Sequence, residues 1–363
     1  MRITHVETHR VPIPAAAPAF SWRSGLDGSP GDDHGAILHL RTDEGIEGVA
    51  LLKRPGSAPQ LEQAVEALFR QELVGQDPLD REHLWHRLWE LDRIHELPLP
   101  LLGVVDVALW DLAARAAGLP LWQLLGGARH AIPAYASTTT FDSVEEYLDV
   151  ADQCLELGYT AVKLHAWGDA RRDAKLCEAL RSHVGDDVPL MYDGSAGFDL
   201  PDAIHVGRAM SANGYLWYEE PMREFSVHAY RRLAASVDVP LLVAETSDGA
   251  HMNTADFIAA GTATFGVRAD TVLKGGITGA MRIAHLADAF RIRVEIHGSD
   301  APNRHLCMAI PNTTYYESLV TSTRVTRESY VDASGLVHAP KGLGIGLPAG
   351  LDYPLELEQF IES

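Results

Sequence analysis

Three short stretches decide the fold of this chain: VPLMYDGS at residues 188–195, YLWYEEP at 215–221 and PLLVAETS at 240–247. Each is an apolar run of strand length that leads into an acidic residue, and helical patterns at 201–213 and 227–235 separate the three. Alternation of strand and helix indicates parallel strands joined by right-handed crossovers. The three stretches therefore predict neighbouring strands of one parallel sheet.

The same alternation continues on both sides of these stretches. Further helical patterns cover residues 144–157, 171–184 and 278–290. Five more strand-like runs complete the set: IPAYAST (132–138), YTAVKLHA (159–166), FGVRADTV (265–272), RVEIHGS (293–299) and TTYYESL (313–319). Eight strand candidates fit a closed (β/α)₈ barrel, in which catalytic residues lie at the carboxyl ends of the strands.

The chain is predicted to have three segments: an α+β domain over residues 1–125, the barrel over 126–330, and a Gly/Pro-rich tail over 331–363 that folds back on the first domain. Within the first domain, a Gly/Pro/Asp-rich loop over 15–33 separates two predicted strands. The predicted strands and helices of this domain are strands at 3–12 and 35–42 and helices at 58–74, 80–91 and 102–117.

Composition restricts the classes of function. The net charge is −20 over 363 residues, so non-specific binding to nucleic acid or anionic lipid is not expected. The three cysteines, Cys154, Cys177 and Cys307, are an odd number without paired spacing, which favours a reducing compartment over a disulfide framework. No apolar run is long enough to span a bilayer. We therefore expect a cytoplasmic globular protein.

Ionisable residues recur at the predicted strand ends. They are 20 to 27 residues apart, close to one strand–helix unit each: Asp193, Glu219, Glu245, Asp270, His297 and Glu317. The first three offer only oxygen ligands on neighbouring strands, which suits a hard cation, with Mg²⁺ preferred to Ca²⁺ or Mn²⁺. The alternative is three independent acids at the barrel rim.

Two further pairs have the residue types needed for acid–base chemistry. Asp270 and His297 lie on adjacent strand ends, where a carboxylate beside an imidazole makes a general base, although a purely structural hydrogen bond is an alternative. Lys163 and His165 are two residues apart on one strand, so both point the same way, towards the expected metal and opposite His297. Such a lysine either has a lowered pKa, steadies a substrate anion, or extends to solvent.

Together these motifs resemble the mandelate racemase subgroup of the enolase superfamily. The resemblance covers nearly the whole chain and rests on order and spacing. Its elements are the helix ALWDLAARAAGLPLWQLLGG (108–127), K-x-H, the D, E-E-P and E series, DTVLKGGITG (270–279), and H-G-S before YYES. The resemblance implies a modified (β/α)₇β barrel with an N-terminal α+β capping domain that the C-terminal tail completes.

The resemblance also implies roles for the residues. Asp193, Glu219 and Glu245 match the Mg²⁺ ligands, and Asp270 and His297 match a dyad that acts on one face of the substrate. Lys163 matches the lysine beside the substrate carboxylate, and Glu317 the acid that hydrogen-bonds the developing enediolate. Two positions depart from the usual pattern: His165 replaces a second lysine, and Ser195 replaces an asparagine.

The function implied is Mg²⁺-dependent abstraction of the proton alpha to a carboxylate, with Mn²⁺ as a possible substitute. We expect dehydration of a sugar acid to a 2-keto-3-deoxy acid, with racemisation or epimerisation of a 2-hydroxy acid as the alternative. Candidate specificity residues are Trp22, Arg23, Lys53 and Arg54 on two loops, and Ser195; plain surface roles are an alternative for the loop residues. A homo-oligomer is also expected.

Three readings outside this family stay open at this stage. A Schiff-base aldolase would use Lys274, just past the sixth barrel strand, but it would leave the three aligned acids without a task. A zinc hydrolase would need histidines on the first barrel strand, and IPAYAST has none. A non-catalytic binding protein that kept the fold is the third.

Overall fold

The computed structural model describes residues 1–28 and 31–347. Its N-terminal strands are β1 (Ile3–Ile13), β2 (Ser21–Arg23), β3 (Leu26–Asp27), β4 (Asp33–Thr42) and β5 (Glu47–Leu52). Strands β1, β4 and β5 form an antiparallel sheet in that order, and β2 and β3 form a separate hairpin. The predicted strands at 3–12 and 35–42 are confirmed as β1 and β4.

Strand β5 is an element that the sequence pattern does not predict. It contains Gly48, where an added Cβ would lie 2.3 Å from the carbonyl oxygen of Ala108. A glycine inside a strand weakens the strand pattern, and here it is needed because a helix backbone passes directly over the sheet.

The helical elements of this part follow the sheet. They are α1 (Ser57–Ala64), a π-helical turn (Val65–Phe69), α2 (Arg70–Leu73), α3 (Arg81–His95), α4 (Leu99–Ala116) and α5 (Leu121–Leu124). The helix predicted over 58–74 thus contains a π-helical turn. Helix α4 is buried on nearly all sides because it is packed against both β5 and a helix of the barrel, which explains its almost wholly apolar sequence.

The second part is a curved sheet of eight parallel strands. They are β6 (Ala131–Thr138), β7 (Val162–His165), β8 (Leu190–Asp193), β9 (Trp217–Glu219), β10 (Leu241–Val243), β11 (Gly266–Ala269), β12 (Arg293–Ile296) and β13 (Tyr316–Val320). Neighbouring strands pair in chain order from β6 to β12, and β13 returns to pair with β6. All eight predicted strands are confirmed.

Seven helices connect these strands, which gives the (β/α)₇β pattern. They are α6 (Val144–Glu156), α7 (Ala170–Val184), α8 (Leu200–Ala212), α9 (Val227–Ala234), α10 (Ala250–Ala259), α11 (Gly276–Ala289) and α12 (Ala301–Ala309). Side chains of Ser143, Asp169, Asp199, Ser226 and Asp300 cap five of them at the N-terminus. The sequence patterns do not predict α10 and α12, which are short.

The start of the C-terminal segment joins both parts of the molecule. Strand β14 (Leu336–His338) pairs antiparallel with β6, and the backbone N–H of Ile345 donates to Asp111 on α4 at 2.7 Å. Asp111 also accepts from the backbone N–H of Val49 on β5 at 2.9 Å. This buried carboxylate therefore ties the segment to the N-terminal part, as expected, while residues 348–363 of the predicted tail lie outside the described residues.

Within residues 1–28 and 31–347, no helix combines the length and the apolar character that crossing a lipid bilayer requires.

Candidate active site

Three carboxylates converge at the carboxyl ends of adjacent strands. Asp193 ends β8 and Glu219 ends β9, where the two residues are paired in register, and Glu245 follows β10 by two residues. One oxygen from each lies within 4.8 Å of the others, and all three residues are buried. Ala244 has φ 69°, a left-handed conformation at the residue before Glu245, where the chain leaves the strand. The predicted convergence of these residues is confirmed.

The chemistry of this triad fits a divalent cation. Oε2 of Glu245 is buried and has no hydrogen-bond partner among the described residues. Burial and the neighbouring acids, chiefly Glu220 and Glu219, raise the pKa of Glu245 well above its usual value. Like charges this close need a compensating cation, and an all-oxygen donor set is the one that Mg²⁺ prefers.

Lys163 and Glu317 lie beside the triad. The Nζ of Lys163 is 2.7 Å from Glu317, 2.9 Å from Glu219 and 3.3 Å from Asp193, and the residue is fully buried. Although burial lowers it, the surrounding acids raise the pKa of Lys163 well above its usual value. The expectation of a lowered pKa is therefore wrong, as is extension to solvent; the side chain is a fixed positive charge.

The predicted dyad of Asp270 and His297 is formed. Nδ1 of His297 is 2.8 Å from Asp270, and its Nε2 is 3.4 Å from Glu245. The side chain of His297 is 34% exposed. Burial lowers the pKa of His297, but the hydrogen bond to Asp270 and the charge of Glu317 outweigh it and raise the pKa. The arrangement presents Nε2 for proton transfer, because Asp270 holds the other ring nitrogen.

His165 lies on the other side of the triad. Its Nδ1 is 2.6 Å from the carbonyl oxygen of Thr138, which identifies Nδ1 as a donor, and its Nε2 is 3.1 Å from Asp193. The ring of Trp22 is 5.1 Å from the His165 ring, and His165 is only 5% exposed. The prediction that Lys163 and His165 face the same way is confirmed, because both contact Asp193.

The loop predicted over residues 15–33 covers this side of the barrel. Nε of Arg23 donates to the carbonyl oxygen of Ser195 at 3.0 Å, and the N–H of Ser24 donates to the carbonyl oxygen of Trp167 at 3.2 Å. The N–H of Ser195 in turn donates to Asp193 at 2.8 Å. Trp22, Arg23 and Ser195 thus lie together over the ligand strands; residues 29–30 of the loop lie outside the described part of the chain.

A cavity of about 300 Å³ opens beside His297. The N-terminal part contributes Lys53 and Arg54, the barrel contributes Asp270, and the C-terminal segment contributes Ile345. Burial lowers the pKa of Lys53. The second candidate loop therefore faces the dyad, while the Trp22 loop faces His165.

Sequence reasoning missed two charged residues in this region. Arg268 is fully buried and donates to Glu219, and its guanidinium also contacts Glu317 at 3.4 Å. Glu224 accepts from the backbone N–H groups of Ala244 and Thr246, on either side of Glu245. Arg268 is detectable, because it lies two residues before Asp270 on the same strand and so on the same face; nothing in the local pattern marks Glu224.

Lys274 is the residue that would act as the nucleophile of a Schiff-base aldolase, and its side chain is buried. It is 1% exposed, and its Nζ donates to the carbonyl oxygen of Ser247 at 2.8 Å and to its hydroxyl at 3.0 Å. A lysine held in this way presents no free amine to a carbonyl substrate, so the geometry speaks against a Schiff base.

Two models of known domains match this chain. Residues 146–349, more than half of it, match the enolase C-terminal domain-like model. Residues 28–126 match the N-terminal domain of the mandelate racemase/muconate lactonizing enzyme family. The chain belongs to the mandelate racemase subgroup of the enolase superfamily.

Relatives of this superfamily member include enzymes of sugar-acid metabolism. A crystal structure of D-glucarate dehydratase from Agrobacterium tumefaciens, complexed with magnesium, is 32% identical with a TM-score of 0.83 and covers 95% of this chain and 96% of that one. L-talarate/galactarate dehydratase from Salmonella typhimurium is 29% identical over 285 residues, 76% of this chain and 70% of the relative. D-galactarolactone cycloisomerase from Agrobacterium fabrum is 28% identical over 312 residues, 82% and 78% of the two chains. This mandelate racemase-type chain is an enzyme of the lyase or isomerase kind with an acidic triad suited to Mg²⁺.

Proposed function

We propose that this enzyme dehydrates a sugar acid to a 2-keto-3-deoxy acid. The observation that carries the proposal is the asymmetry of the two histidines around the triad. His297 is partly exposed, paired with Asp270 and open to a cavity, whereas His165 is buried beneath Trp22. One accessible acid–base group supports a reaction in which the same residue takes one proton and gives one back.

His297 would begin the reaction at its Nε2. The alpha C–H bond breaks, Nε2 takes the proton, and Asp270 stabilises the resulting imidazolium through Nδ1–H. Bound Mg²⁺, held by Asp193, Glu219 and Glu245, would supply positive charge that offsets the developing dianion.

The neighbouring residues would stabilise the same developing charge. The fixed ammonium of Lys163 would lie next to the substrate carboxylate. Against the effect of burial, the charges of Lys163 and Arg268 hold the pKa of Glu317 well below its usual value, so Glu317 is an ionised acceptor that orients Lys163 at 2.7 Å and does not itself donate to the enediolate. His297 then returns its proton to the beta-hydroxyl; the C–O bond breaks, water leaves, and the enol product tautomerises to the 2-keto acid.

The cavity walls support a substrate with an anionic or strongly polar far end. Lys53 and Arg54 line the cavity near His297, and among residues 1–28 and 31–347 neither side chain has a carboxylate within 4.0 Å. Cations that have no acidic partner in the described part of the chain and that face a reactive base favour a second carboxylate on the substrate. We therefore propose that a diacid sugar is preferred to a monoacid, with Trp22, Arg23 and Ser195 closing the opposite side.

Racemisation is the second candidate, since His165 reaches the triad from the opposite side. Its Nε2 would have to leave Asp193 to accept a substrate proton, and Trp22 covers its ring. The alternative needs the Trp22 loop to move.

The remaining parts of the proposal are Mn²⁺ as a substitute metal, a homo-oligomeric state and a cytoplasmic location. All three cysteines are free and buried, which supports a reducing compartment. Size-exclusion chromatography with light scattering measures the oligomer, and metal titration of the EDTA-treated enzyme measures Mn²⁺ use.

The deciding experiment is a screen of mono- and diacid sugars with Mg²⁺ for formation of 2-keto acids, with polarimetry in parallel. A diacid that yields a 2-keto acid supports the proposal, and Lys53→Met should then raise KM for the diacid more than for the matching monoacid. Optical inversion without 2-keto acid would instead establish racemisation, and an equal KM increase for both acids would contradict the diacid preference.

A further inference from the structure

Arg268 is a buried cation inside the barrel, below the acidic triad. It lies on β11, is fully buried, and donates from Nε to Glu219. Its Nη1 donates to the carbonyl oxygen of Ile296 at 2.9 Å, and its Nη2 donates to the hydroxyl of Tyr135 at 2.9 Å. Because its Nε, Nη1 and Nη2 all donate to protein groups, any contribution to function acts through the groups it holds.

Arg268 supplies one of two positive charges that contact a cluster of buried carboxylates. Asp193, Glu219, Glu245 and Glu317 are four carboxylates within one buried cluster, and Lys163 contacts three of them. Arg268 contacts the remaining one, Glu245, at 3.6 Å between Nε and Oε2, and shares two of the others. These four carboxylates exceed the two cations by two negative charges, and the buried Glu220 is a further acid beside Glu245.

Arg268 joins Glu219 to Glu317, as Lys163 also does, and in addition it bonds the backbone next to His297. Its planar guanidinium contacts Glu219 at the end of β9 and Glu317 on β13, which lie on opposite parts of the strand order. Its bond to Ile296 holds the residue immediately before His297. A planar group with several donors can hold all these acceptors at once, whereas a lysine ammonium cannot.

We propose that Arg268 is a positioning residue that acts as an internal counter-ion of the metal site. It holds Glu219 and Glu317 in place before the metal binds, and it does so at a cost in metal affinity, because its fixed positive charge lies next to the ligands. The inference rests on one part of the function proposed above, namely that Asp193, Glu219 and Glu245 bind a divalent metal. Its test needs no substrate.

The test compares Arg268→Met with Arg181→Met. Arg181 on α7 is the matched control. It is also a buried arginine, but within residues 1–28 and 31–347 its hydrogen bonds go to backbone carbonyls, including Asn213 and Val188 at 2.8 Å each. For each variant, Tm is measured in EDTA and in saturating Mg²⁺, and Mg²⁺ binding is measured by calorimetry.

In Arg268→Met, Tm in EDTA should fall further than in Arg181→Met, because four acids then share one cation. Mg²⁺ should restore most of that loss. The difference between Tm in Mg²⁺ and Tm in EDTA should therefore be larger than in the wild type, and the Mg²⁺ Kd should be lower. Arg181→Met should lower both Tm values equally, with Kd unchanged. An unchanged or smaller Tm difference in Arg268→Met would overturn the proposal.

Arg268→Lys covers the case in which Arg268→Met does not fold. It keeps the charge but cannot reach all the acceptors, so its Tm difference should stay close to that of the wild type while its Tm falls in both conditions. If the Tm difference between Mg²⁺ and EDTA became as large in Arg268→Lys as the one expected in Arg268→Met, the counter-ion role would be contradicted. Because only Mg²⁺ is used, failure here is distinct from failure of the dehydration proposal.

Discussion

The two histidines on opposite sides of the triad show how surroundings decide what one residue type can do. His297 has 34% of its side chain exposed, Asp270 at 2.8 Å and a cavity beside it. His165 has 6% of its side chain exposed, donates from Nδ1 to a backbone carbonyl and lies against Trp22. The first is arranged to exchange protons with a ligand, and the second to orient Asp193. The site is therefore one-sided, and this is what favours elimination over inversion.

Replacing the open histidine should have the largest effect on that comparison. In His297→Asn, kcat should fall by about a thousandfold or more, because the group that takes the alpha proton is lost. Mg²⁺ affinity, measured by calorimetry, should stay close to that of the wild type, since His297 is not a ligand. Full activity of this variant on the identified substrate would show that the base has been assigned to the wrong side.

Removing the carboxylate that holds Nδ1 of His297 should have the next largest effect. In Asp270→Asn, Nδ1 loses its anionic partner, and kcat should fall by about a hundredfold, within the range general acid–base catalysis supplies. Steady-state kinetics with the same substrate measures the loss, and Asp300→Asn, at the cap of α12 on the same cavity, is the control. Equal losses in both variants would assign Asp270 a merely local role.

Changing the buried histidine should cost less. In His165→Gln, dehydration should slow by about tenfold, as expected when a group that orients a metal ligand is changed. Solvent-deuterium incorporation into recovered substrate, followed by NMR, checks whether a second face is used. A loss as large as that of His297→Asn would mean that both sides take part in the chemistry, and racemisation would then become the better proposal.

Uncovering the buried histidine should have the smallest effect. In Trp22→Ala, KM should rise by less than about tenfold, which corresponds to under about 1.4 kcal/mol, because one wall of the lid is lost while the dyad is untouched. Phe225→Ala, an exposed aromatic at 68%, is the matched control and should leave KM unchanged. A drop in kcat with constant KM would show that Trp22 acts on the chemical step.

Much of the fold could be predicted because its strands and helices follow from local sequence patterns. Eight apolar runs at regular spacing predict the strands, and the positions of Asp193 and Glu219 at their ends follow from that register. Strand β5 and helices α10 and α12 were not predicted; in β5 the apolar pattern is interrupted by Gly48 beneath α4. Arg268 was detectable from its register, whereas the bonds of Glu224 to the backbone around Glu245 join residues about 20 apart, in the segments that follow β9 and β10.

By itself the sequence determined the strand–helix alternation, the rim on which the ionisable residues gather, and the oxygen-rich character of the metal site. These follow from periodicity and residue type, which are local properties. Only the tertiary structure decided which histidine is open and that Lys163 stays charged. Exposure and pKa depend on residues distant in the chain: Trp22 from the N-terminal loop closes one side, while Lys53 and Ile345 border the other. Neighbours brought together by the packing of distant segments leave no trace in the spacing of one segment.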